Sequence, residues 1–192
     1  MNTRKQLLIV GGTGRNVGKT EFICRLIQRI SLNVPVYAIK VSAQFPEEEI
    51  YHGNHSADES EFHVFEETNR TSDKDTSRML RAGAVKVFYL RSDDRRIEVG
   101  FENLVKHIPQ KAAVVCESNS LGKFVKPAIS IIVRPVIGPI KPRAIPRLKS
   151  ADLVVVSDGA NGFSEIQSIR FSSGVGWQIK TKPGLIDGHT KQ

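Results

Sequence analysis

The chain of 192 residues, with 40% hydrophobic and 25% charged residues, is long enough for one sizeable core and too apolar to be wholly disordered. Every apolar run is shorter than the roughly 18 residues that a membrane-spanning helix needs. The apolar stretch at residues 7–10 is too short for the core of a secretory signal. We therefore expect a single domain over residues 1–192, located in the cytoplasm and without a membrane partner.

Charge is distributed unevenly along the chain. Residues 47–75 hold ten of the twenty acidic residues, whereas residues 118–151 hold none and carry seven Lys and Arg. Such a basic segment attracts anions: nucleotide phosphates, a phosphorylated substrate, nucleic acid or an acidic partner. A solvated surface that keeps the protein soluble is the alternative. No nucleic-acid-reading motif accompanies the basic segment, so nucleic acid is not the expected partner.

Short continuous apolar runs alternate with helical patterns, which is typical of a mostly parallel sheet covered on both faces. Apolar residues at three- and four-residue spacing predict a helix over residues 19–30, and a second helical pattern covers residues 74–82. The predicted strands cover residues 6–10, 34–41, 85–90, 112–116, 128–133 and 153–156. The expected fold is an open α/β sheet of six or seven strands flanked by helices.

Two segments interrupt this alternation. Residues 45–71 are acidic and polar, and we expect a loop or lid that could contain a short helix over residues 59–67. Residues 134–149 are basic and carry four prolines, which exclude an uninterrupted helix or a central strand and predict a rigid extended connector. Trp177 lies in a short strand pattern that would pack against the sheet or a dimer partner.

The most informative segment follows the first predicted strand and leads into the first helix. It reads Gly-Gly-Thr-Gly-Arg-Asn-Val-Gly-Lys-Thr over residues 11–20. Glycines let the backbone fold around an anion, so that N–H groups and the helix N-terminus point at phosphates. Lys19 would neutralise the outer phosphates, and the Thr20 hydroxyl could join the coordination shell of Mg²⁺. The alternative is a glycine-rich turn with a structural role only.

The spacing of this loop differs from the standard phosphate-binding loop. Five residues separate Gly12 from Gly18, one more than usual, and the first glycine of the standard motif would fall at Thr13. The residues predicted to bind the nucleotide in this segment are Gly12, Thr13, Gly14, Arg15, Asn16, Val17, Gly18, Lys19, Thr20 and Glu21.

Polar residues that follow two later strands are candidates for the same site, because parallel strands present ligands at their carboxyl ends. Glu117 could hold Mg²⁺ or orient the attacking water, or could only cap the following helix. Residues 118–120, Ser-Asn-Ser, suit a phosphate-sensing turn. Asp158 and Asn161 could contact the base of the nucleotide, although a plain turn explains them equally well.

His52 and His55 have the spacing of a metal loop, but many solvated polar loops share it, and no third histidine or cysteine lies on a rigid element nearby. The two cysteines, Cys24 and Cys116, lie in apolar segments without a Cys-x-x-Cys spacing. They are predicted to be buried free thiols rather than a disulfide or metal ligands.

The motifs resemble those of a known group of nucleotide-binding proteins. The loop over residues 12–20 resembles the extended P-loop of dethiobiotin synthetase and its relatives, which share a broad class with the dimeric ParA and MinD ATPases. Residues 73–84, which read Asp-Lys-Asp-Thr-Ser-Arg-Met-Leu-Arg-Ala-Gly-Ala, resemble a helix of the molybdopterin-guanine dinucleotide biosynthesis proteins called MobB. The later strands that end at Glu117, Arg134 and Asp158 keep the family's order.

The chain departs from the MobB pattern at two places. Val-Ser-Ala-Gln at residues 41–44 stands where the family has a His-rich stretch, and Ser118 stands where it has glycine after the strand-end Glu. The resemblance implies a P-loop NTPase with a three-layer architecture, of the class that includes these ATPases. It implies slow hydrolysis of the nucleotide and a homodimer. It also implies Mg²⁺, GTP or ATP as ligands, and a cofactor-biosynthesis enzyme as partner.

The resemblance adds roles for two further residues. Lys40, at the end of the second strand, could sense the γ-phosphate or the substrate, and Asp75 could contribute to the metal site. The alternative for Lys40 is a solvated lysine at a strand end. The alternative for Asp75 is a carboxylate that only interacts favourably with the dipole of the helix that it opens. The predicted catalytic residues are then Lys19, Glu117 and Lys40, and the predicted metal ligands are Thr20, Glu117 and Asp75. Two other functions are possible alternatives: an ATP-dependent enzyme that acts on a small molecule, and a regulator that binds a nucleotide without hydrolysing it.

Overall fold

The computed structural model describes residues 2–43 and 62–180. The strands are β1 (Arg4–Gly12), β2 (Val36–Ala43), β3 (Phe62–Glu66), β4 (Lys86–Ser92), β5 (Ala113–Glu117), β6 (Pro127–Pro135), β7 (Leu153–Ser157), β8 (Ile169–Ser172) and β9 (Gly176–Ile179). The helices are α1 (Lys19–Ile30), α2 (Asp75–Arg81), α3 (Ile97–Val105) and α4 (Ile145–Ser150). Short 3₁₀ turns cover Leu121–Lys123, Pro142–Ala144 and Ser164–Ser168.

Seven strands form one sheet in the order β3-β4-β2-β5-β1-β6-β7. All neighbours in it are parallel except β3, which runs antiparallel to β4. Strand β5 is inserted between β1 and β2, so the carboxyl ends of these three strands adjoin the loop that leads into α1. The predicted open, mostly parallel α/β sheet is confirmed.

The core lies on both faces of the sheet. On one face, α1 buries a stripe that includes Phe22, Leu26 and Ile30 against alternate residues of the central strands. On the other face, α3 buries Ile97, Phe101 and Leu104. This layering follows from the continuous apolar character of the strands, since a strand with two apolar faces needs a cover on each.

The structure differs from the expectation in the two segments that interrupt the alternation of strands and helices, residues 45–71 and 134–149. Residues 62–66 form strand β3, so the helix considered over residues 59–67 is wrong there. Phe62 and Val64 lie on one face of this strand, and His63 and Phe65 lie on the other. Residues 45–61 lie outside the described residues. The proline-rich segment 134–149 is not one extended connector, because it turns at Pro142–Ala144 and continues into α4. Proline at the first turn of a helix costs no hydrogen bond, which permits this.

Helix α3 was not predicted from the sequence. Its apolar residues recur at positions 97, 101 and 104, but Gly100 and the short length weaken the pattern. A Cβ atom at Gly100 would lie 2.9 Å from Cδ1 of Leu90 and 3.1 Å from Cγ of Phe62. The glycine therefore lets α3 pack closely against β3 and β4.

The hairpin of β8 and β9 packs beside the main sheet. Trp177 is 4% exposed, contacts Phe171, and donates its Nε1–H to the carbonyl oxygen of Gln6 at 2.6 Å. The strand at Trp177 thus packs against the sheet, as one of the two alternatives predicted. Cys24 and Cys116 are buried and free, as expected, and burial raises the pKa of the Cys24 thiol to about 11. None of the helices in the described ranges is both long and apolar enough for a membrane crossing.

We expect Phe101→Ala to lower the free energy of unfolding by about 3–5 kcal/mol, because Phe101 is 1% exposed and its loss leaves a cavity under α3. Val99→Ala in the same helix is the control, since Val99 is 53% exposed. Urea denaturation measures both. Equal losses in the two variants would contradict the assignment of the buried face of α3.

Candidate functional site

The register of the sheet brings the predicted polar residues together. Glu117, the last residue of β5, lies beside Val10 of β1 and Lys40 of β2. These strands end at the same edge, where β1 leads into the loop before α1. The side chain of Glu117 is therefore placed under the start of α1, and the residue is 6% exposed.

The loop between β1 and α1 has a backbone path that requires glycine at two positions. Gly18, directly before α1, has φ of 91°, and a Cβ atom there would lie 2.5 Å from Oγ of Ser157 at the end of β7. A Cβ atom at Gly12 would lie 2.7 Å from Cγ2 of Val17 and 2.8 Å from Cδ of Lys19. Asn16 also has a positive φ, of 54°. The chain thus folds tightly back on itself before the helix begins.

The fold of this loop leaves a series of backbone donors without partners. Within the described ranges, no hydrogen bond engages the backbone N–H groups of residues 14–20. No hydrogen bond engages the N–H of Glu21 within these ranges either. The residues that bound the run are engaged, since Thr13 donates to the carbonyl oxygen of Val133 at 3.0 Å and Phe22 donates to that of Gly18 at 2.9 Å. Successive free N–H groups at a helix N-terminus favour an anion.

Lys19 and Thr20 connect this loop to the end of β5. The Thr20 hydroxyl donates to Oε2 of Glu117 at 2.9 Å, and Nζ of Lys19 lies 4.0 Å from Oε1 of the same carboxylate. Nζ of Lys19 also donates to the carbonyl oxygen of Gly14 at 3.4 Å, across the loop. The three predicted residues thus form one buried polar cluster.

Lys40 and Asp75 form an ion pair at the edge of this cluster. Burial acts to lower the pKa of Lys40, but the hydrogen bond to Asp75 and the charges of Glu117 and Asp75 outweigh it, so the pKa is raised. Burial acts to raise the pKa of Asp75, but the hydrogen bond and charge of Lys40 and a hydrogen bond from Thr20 hold it below its usual value. Both side chains are therefore held in their charged forms.

The surroundings of Glu117 disfavour its charged form, in contrast to those of Lys40 and Asp75. Burial raises the pKa of its carboxyl above the ordinary value and Asp75 adds to the rise, although the charges of Lys40 and Lys19 and the hydrogen bond from Thr20 counteract it. The fold thus holds a carboxylate in a place that disfavours its charge. Buried ionisable groups of this kind are common at functional sites.

Asn119 and Arg147 fix the start of the loop. The Oδ1 atom of Asn119 accepts from the backbone N–H of Gly12 at 2.8 Å and from Nη1 of Arg147 at 2.8 Å. Nη1 of Arg147 also donates to the carbonyl oxygen of Asn119 at 2.7 Å. The sequence suggested a turn at residues 118–120 and a cationic role for the basic segment. The structure shows that one arginine of that segment, on α4, contacts the turn.

Three other predicted residues are engaged in local contacts. The carboxylate of Glu21 accepts from Arg25 at 2.8 Å and from Arg78 at 2.7 Å, which leaves its backbone N–H as the group facing the loop. Asp158 accepts from the backbone N–H and from the side chain of Asn161, at 2.8 Å and 2.6 Å. These hydrogen bonds form the plain turn that was one of the two alternatives for Asp158 and Asn161.

The turn at Asp158 nevertheless lies near the loop. Ser157 directly precedes it and contacts Gly18, while Phe163 follows it and packs edge-on against Phe22 of α1. Exposed residues 158–162 are therefore placed beside the start of α1. Hydrogen bonds from the backbone of the turn hold the pKa of Asp158 at about 2, so its carboxylate is charged at neutral pH.

The donor set at the cluster suits Mg²⁺. Thr20, Glu117 and Asp75 offer oxygen atoms only, and Mg²⁺ is usually held by one or two carboxylates together with phosphate oxygens and water. No group of three or more His, Cys, Asp or Glu residues able to hold a metal by themselves occurs among residues 2–43 and 62–180. His52 and His55 lie outside the described residues.

Comparison of the chain with family models, with curated proteins and with solved structures finds no match. The class that the fold and the site define is an α/β protein with a mostly parallel sheet and a glycine-rich loop before its first helix.

The buried hydroxyl of Thr13 allows the conformation of the loop to be tested through its effect on stability. Thr13 is 1% exposed, and its Oγ1 atom has no hydrogen-bond partner among the described residues. Because an unsatisfied buried hydroxyl costs about 1–3 kcal/mol, we expect Thr13→Val to raise the free energy of unfolding by about 1 kcal/mol. Chemical denaturation without ligand measures this, and Thr3→Val at an exposed position is the control. A marked loss of stability in Thr13→Val would show that the hydroxyl has a partner.

Replacement of Glu117 tests its electrostatic environment. Since the folded-state pKa of Glu117 is raised above the ordinary value of 4.5, its carboxylate destabilises the native state at neutral pH, and this loss diminishes as pH falls through the raised pKa. We expect Glu117→Gln to be more stable than the native chain at pH 7.5, with a smaller difference at pH 4.5. Urea denaturation at both pH values measures this, with the exposed Glu98→Gln as control. A constant difference across this pH range would contradict it.

Proposed function

We propose that the chain binds a nucleoside triphosphate, GTP or ATP, together with Mg²⁺ at the loop over residues 12–21, and hydrolyses it slowly. One observation carries the proposal: the successive backbone N–H groups of residues 14–21 have no partner among the described residues, and this run includes Lys19, whose Nζ lies 4.0 Å from a buried carboxylate. A chain of phosphates is the common ligand that accepts from many backbone donors and a lysine at once.

The roles of the side chains follow from their contacts. Lys19 lies across the loop at the carbonyl oxygen of Gly14, from which its ammonium group can turn toward the outer phosphates. Thr20 and Glu117 offer adjacent oxygen atoms for the metal. When bound, Mg²⁺ would neutralise phosphate charge and polarise the bond to the leaving phosphate oxygen. The buried Glu117 carboxylate can also orient a water molecule by accepting its hydrogen bond.

Lys40 and Asp75 belong to the same site in this proposal. The ammonium group of Lys40 is held beside Glu117 by the register of β2 and β5, and by its ion pair with Asp75. A terminal phosphate next to Glu117 would offer Lys40 a second anionic partner. The choice between GTP and ATP rests on the turn at residues 158–162, which lies beside the start of α1.

The place of this activity in a pathway rests on the sequence resemblance alone. The motifs at residues 12–20 and 73–84 support four further points: the P-loop NTPase assignment, a MobB-like accessory role in molybdenum cofactor biosynthesis, a homodimer, and a cofactor-biosynthesis enzyme as partner. These belong to the proposal as its finer part. Nucleotide binding can be tested independently of them.

We expect Lys19→Ala to weaken binding of GTP or ATP by at least about tenfold, because a charge-assisted hydrogen bond contributes about 1.5–3 kcal/mol. Calorimetric titration of the purified chain with each nucleotide, with and without Mg²⁺, measures this. Lys126→Ala is the matched control, since Lys126 is an exposed lysine before β6, at the opposite end of the parallel strands.

Two further outcomes separate the parts of the proposal. Mg²⁺ should strengthen nucleotide binding in the native chain and much less in Glu117→Gln, since Glu117 supplies an oxygen ligand. If neither nucleotide binds at millimolar concentration, or if Lys19→Ala binds as well as the native chain, the loop is a structural turn and the proposed function fails.

An ATP-dependent enzyme acting on a small molecule is the second candidate. It is favoured by a cavity of about 500 Å³ that is lined by Lys40 and Asp75 and so adjoins the candidate phosphate site. Phosphate release that depends strictly on an added small molecule would support this candidate. Turnover without any addition would support the accessory protein.

A further inference from the structure

The cavity next to Lys40 and Asp75 is built on a row of side chains that crosses the sheet. Register pairs Phe65 with Tyr89, Tyr89 with Lys40, and Lys40 with Glu117. Neighbouring strands are about 4.8 Å apart, so Tyr89 lies two strands, or about 10 Å, from Glu117. The cavity thus starts at the metal end of the candidate phosphate site and extends toward the antiparallel edge of the sheet.

The floor of the cavity is aromatic. The rings of Phe65 and Tyr89 are both half-buried, and their centroids lie 6.3 Å apart with a tilt of 33°. Tyr89 is fixed by a hydrogen bond of 2.6 Å between its hydroxyl and the hydroxyl of Ser42. Two adjacent rings that line a cavity favour a flat conjugated ligand, since ring stacking adds to the burial of apolar area.

The wall of the cavity supplies a cation. Arg91 lies two residues after Tyr89 in β4, so it is on the same face of the sheet. It is half-buried, and its guanidinium group has no hydrogen-bond or ion-pair partner within residues 2–43 and 62–180. A guanidinium group binds a carboxylate or a phosphate with two parallel hydrogen bonds.

The acids of the cavity are engaged elsewhere. Asp75 is paired with Lys40, Glu66 with Lys86 at 3.0 Å, and Glu67 accepts from Oγ1 of Thr76 at 2.7 Å. The fourth acid, Asp73, is exposed at the rim and lies 3.9 Å from Nη2 of Arg81. A cationic ligand would have to compete with these contacts, whereas an anionic ligand finds Arg91 available. The volume of about 500 Å³ suits a molecule of one or two fused rings.

We propose that this cavity binds a small conjugated ring compound that carries a carboxylate or phosphate group, with the ring against Phe65 and Tyr89 and the anion on Arg91. Such a ligand would lie within reach of a terminal phosphate held at Lys19 and Glu117. Its role as a second substrate rests on the proposed function, whereas its binding does not.

Nuclear magnetic resonance titration of the nucleotide-free chain tests the binding. The probes are 2-naphthoate, its neutral analogue 2-naphthalenemethanol, the non-aromatic anion cyclohexanecarboxylate, and the cation 2-naphthylmethylammonium. We expect 2-naphthoate to bind best and to shift the amide signals of β3 and β4. Arg91→Gln should weaken it by about tenfold or more, because a charge-assisted contact is lost. Phe65→Leu should weaken it several-fold through loss of stacking.

Arg95→Gln is the matched control, because it removes the same charge at an exposed position outside the cavity and should leave the affinity unchanged. Equal binding of the neutral or cationic analogue, or unchanged binding in Arg91→Gln, would overturn the proposal. Nucleotide binding is measured separately. Arg91-dependent binding of 2-naphthoate without any nucleotide binding would support the cavity and refute the proposed function, and the reverse result would refute only the cavity.

Discussion

The candidate site depends on the buried hydrogen bond between Thr20 and Glu117. This bond joins the first turn of α1 to the end of the central strand β5, across the point where the glycine-rich loop closes. Both groups are buried, and Nζ of Lys19 lies 4.0 Å from the other carboxylate oxygen of Glu117, so the helix start and the strand end are held in one relative position. The loop that joins β1 to α1 is thereby held at its helical end, in the path that leaves its N–H groups without partners among the residues that the structure describes.

The charges around this bond are arranged with opposite effects. Burial disfavours the charge of Glu117, while Lys19 and Lys40 partly offset that cost from two sides. Asp75 keeps Lys40 in place but adds a second negative charge near Glu117. A divalent cation would relieve the repulsion between the two carboxylates, and a chain of phosphates would occupy the two lysines. The cluster therefore suits a ligand that combines a divalent cation with a chain of phosphates better than it suits the cation alone or the phosphates alone.

The basic segment 118–151 has two roles, one structural and one electrostatic. Arg147 on α4 is bonded to Asn119 and thereby supports the first residue of the loop, Gly12. Arg134 lies near the carboxyl end of β6, and the backbone N–H of Lys141 donates to the carbonyl oxygen of Thr13 at 3.5 Å, so these two cations add positive potential near the candidate phosphate site. The aromatic cavity lies on the other side of Lys40, and none of its lining residues belongs to this segment. The molecule thus separates the two kinds of anion site that we propose.

The amino-acid sequence by itself determined the alternation of strands and helices, the glycine-rich loop with Lys19 and Thr20, and the position of Glu117 at a strand end. These are local properties, since they depend on apolar spacing and on the conformational freedom of glycine. Strand β3, helix α3 and helix α4 were missed or assigned otherwise, because each is short. Strand β3 and helix α3 are stabilised by packing against the sheet rather than by their own patterns, and α4, which buries no residue, is held through the contact of Arg147 with Asn119. Only the tertiary structure decided that Lys40 lies beside Glu117, that Arg147 contacts Asn119, and that Phe65, Tyr89 and Arg91 line one cavity. Strand order and register set these contacts between residues far apart in the chain, and no local pattern encodes them.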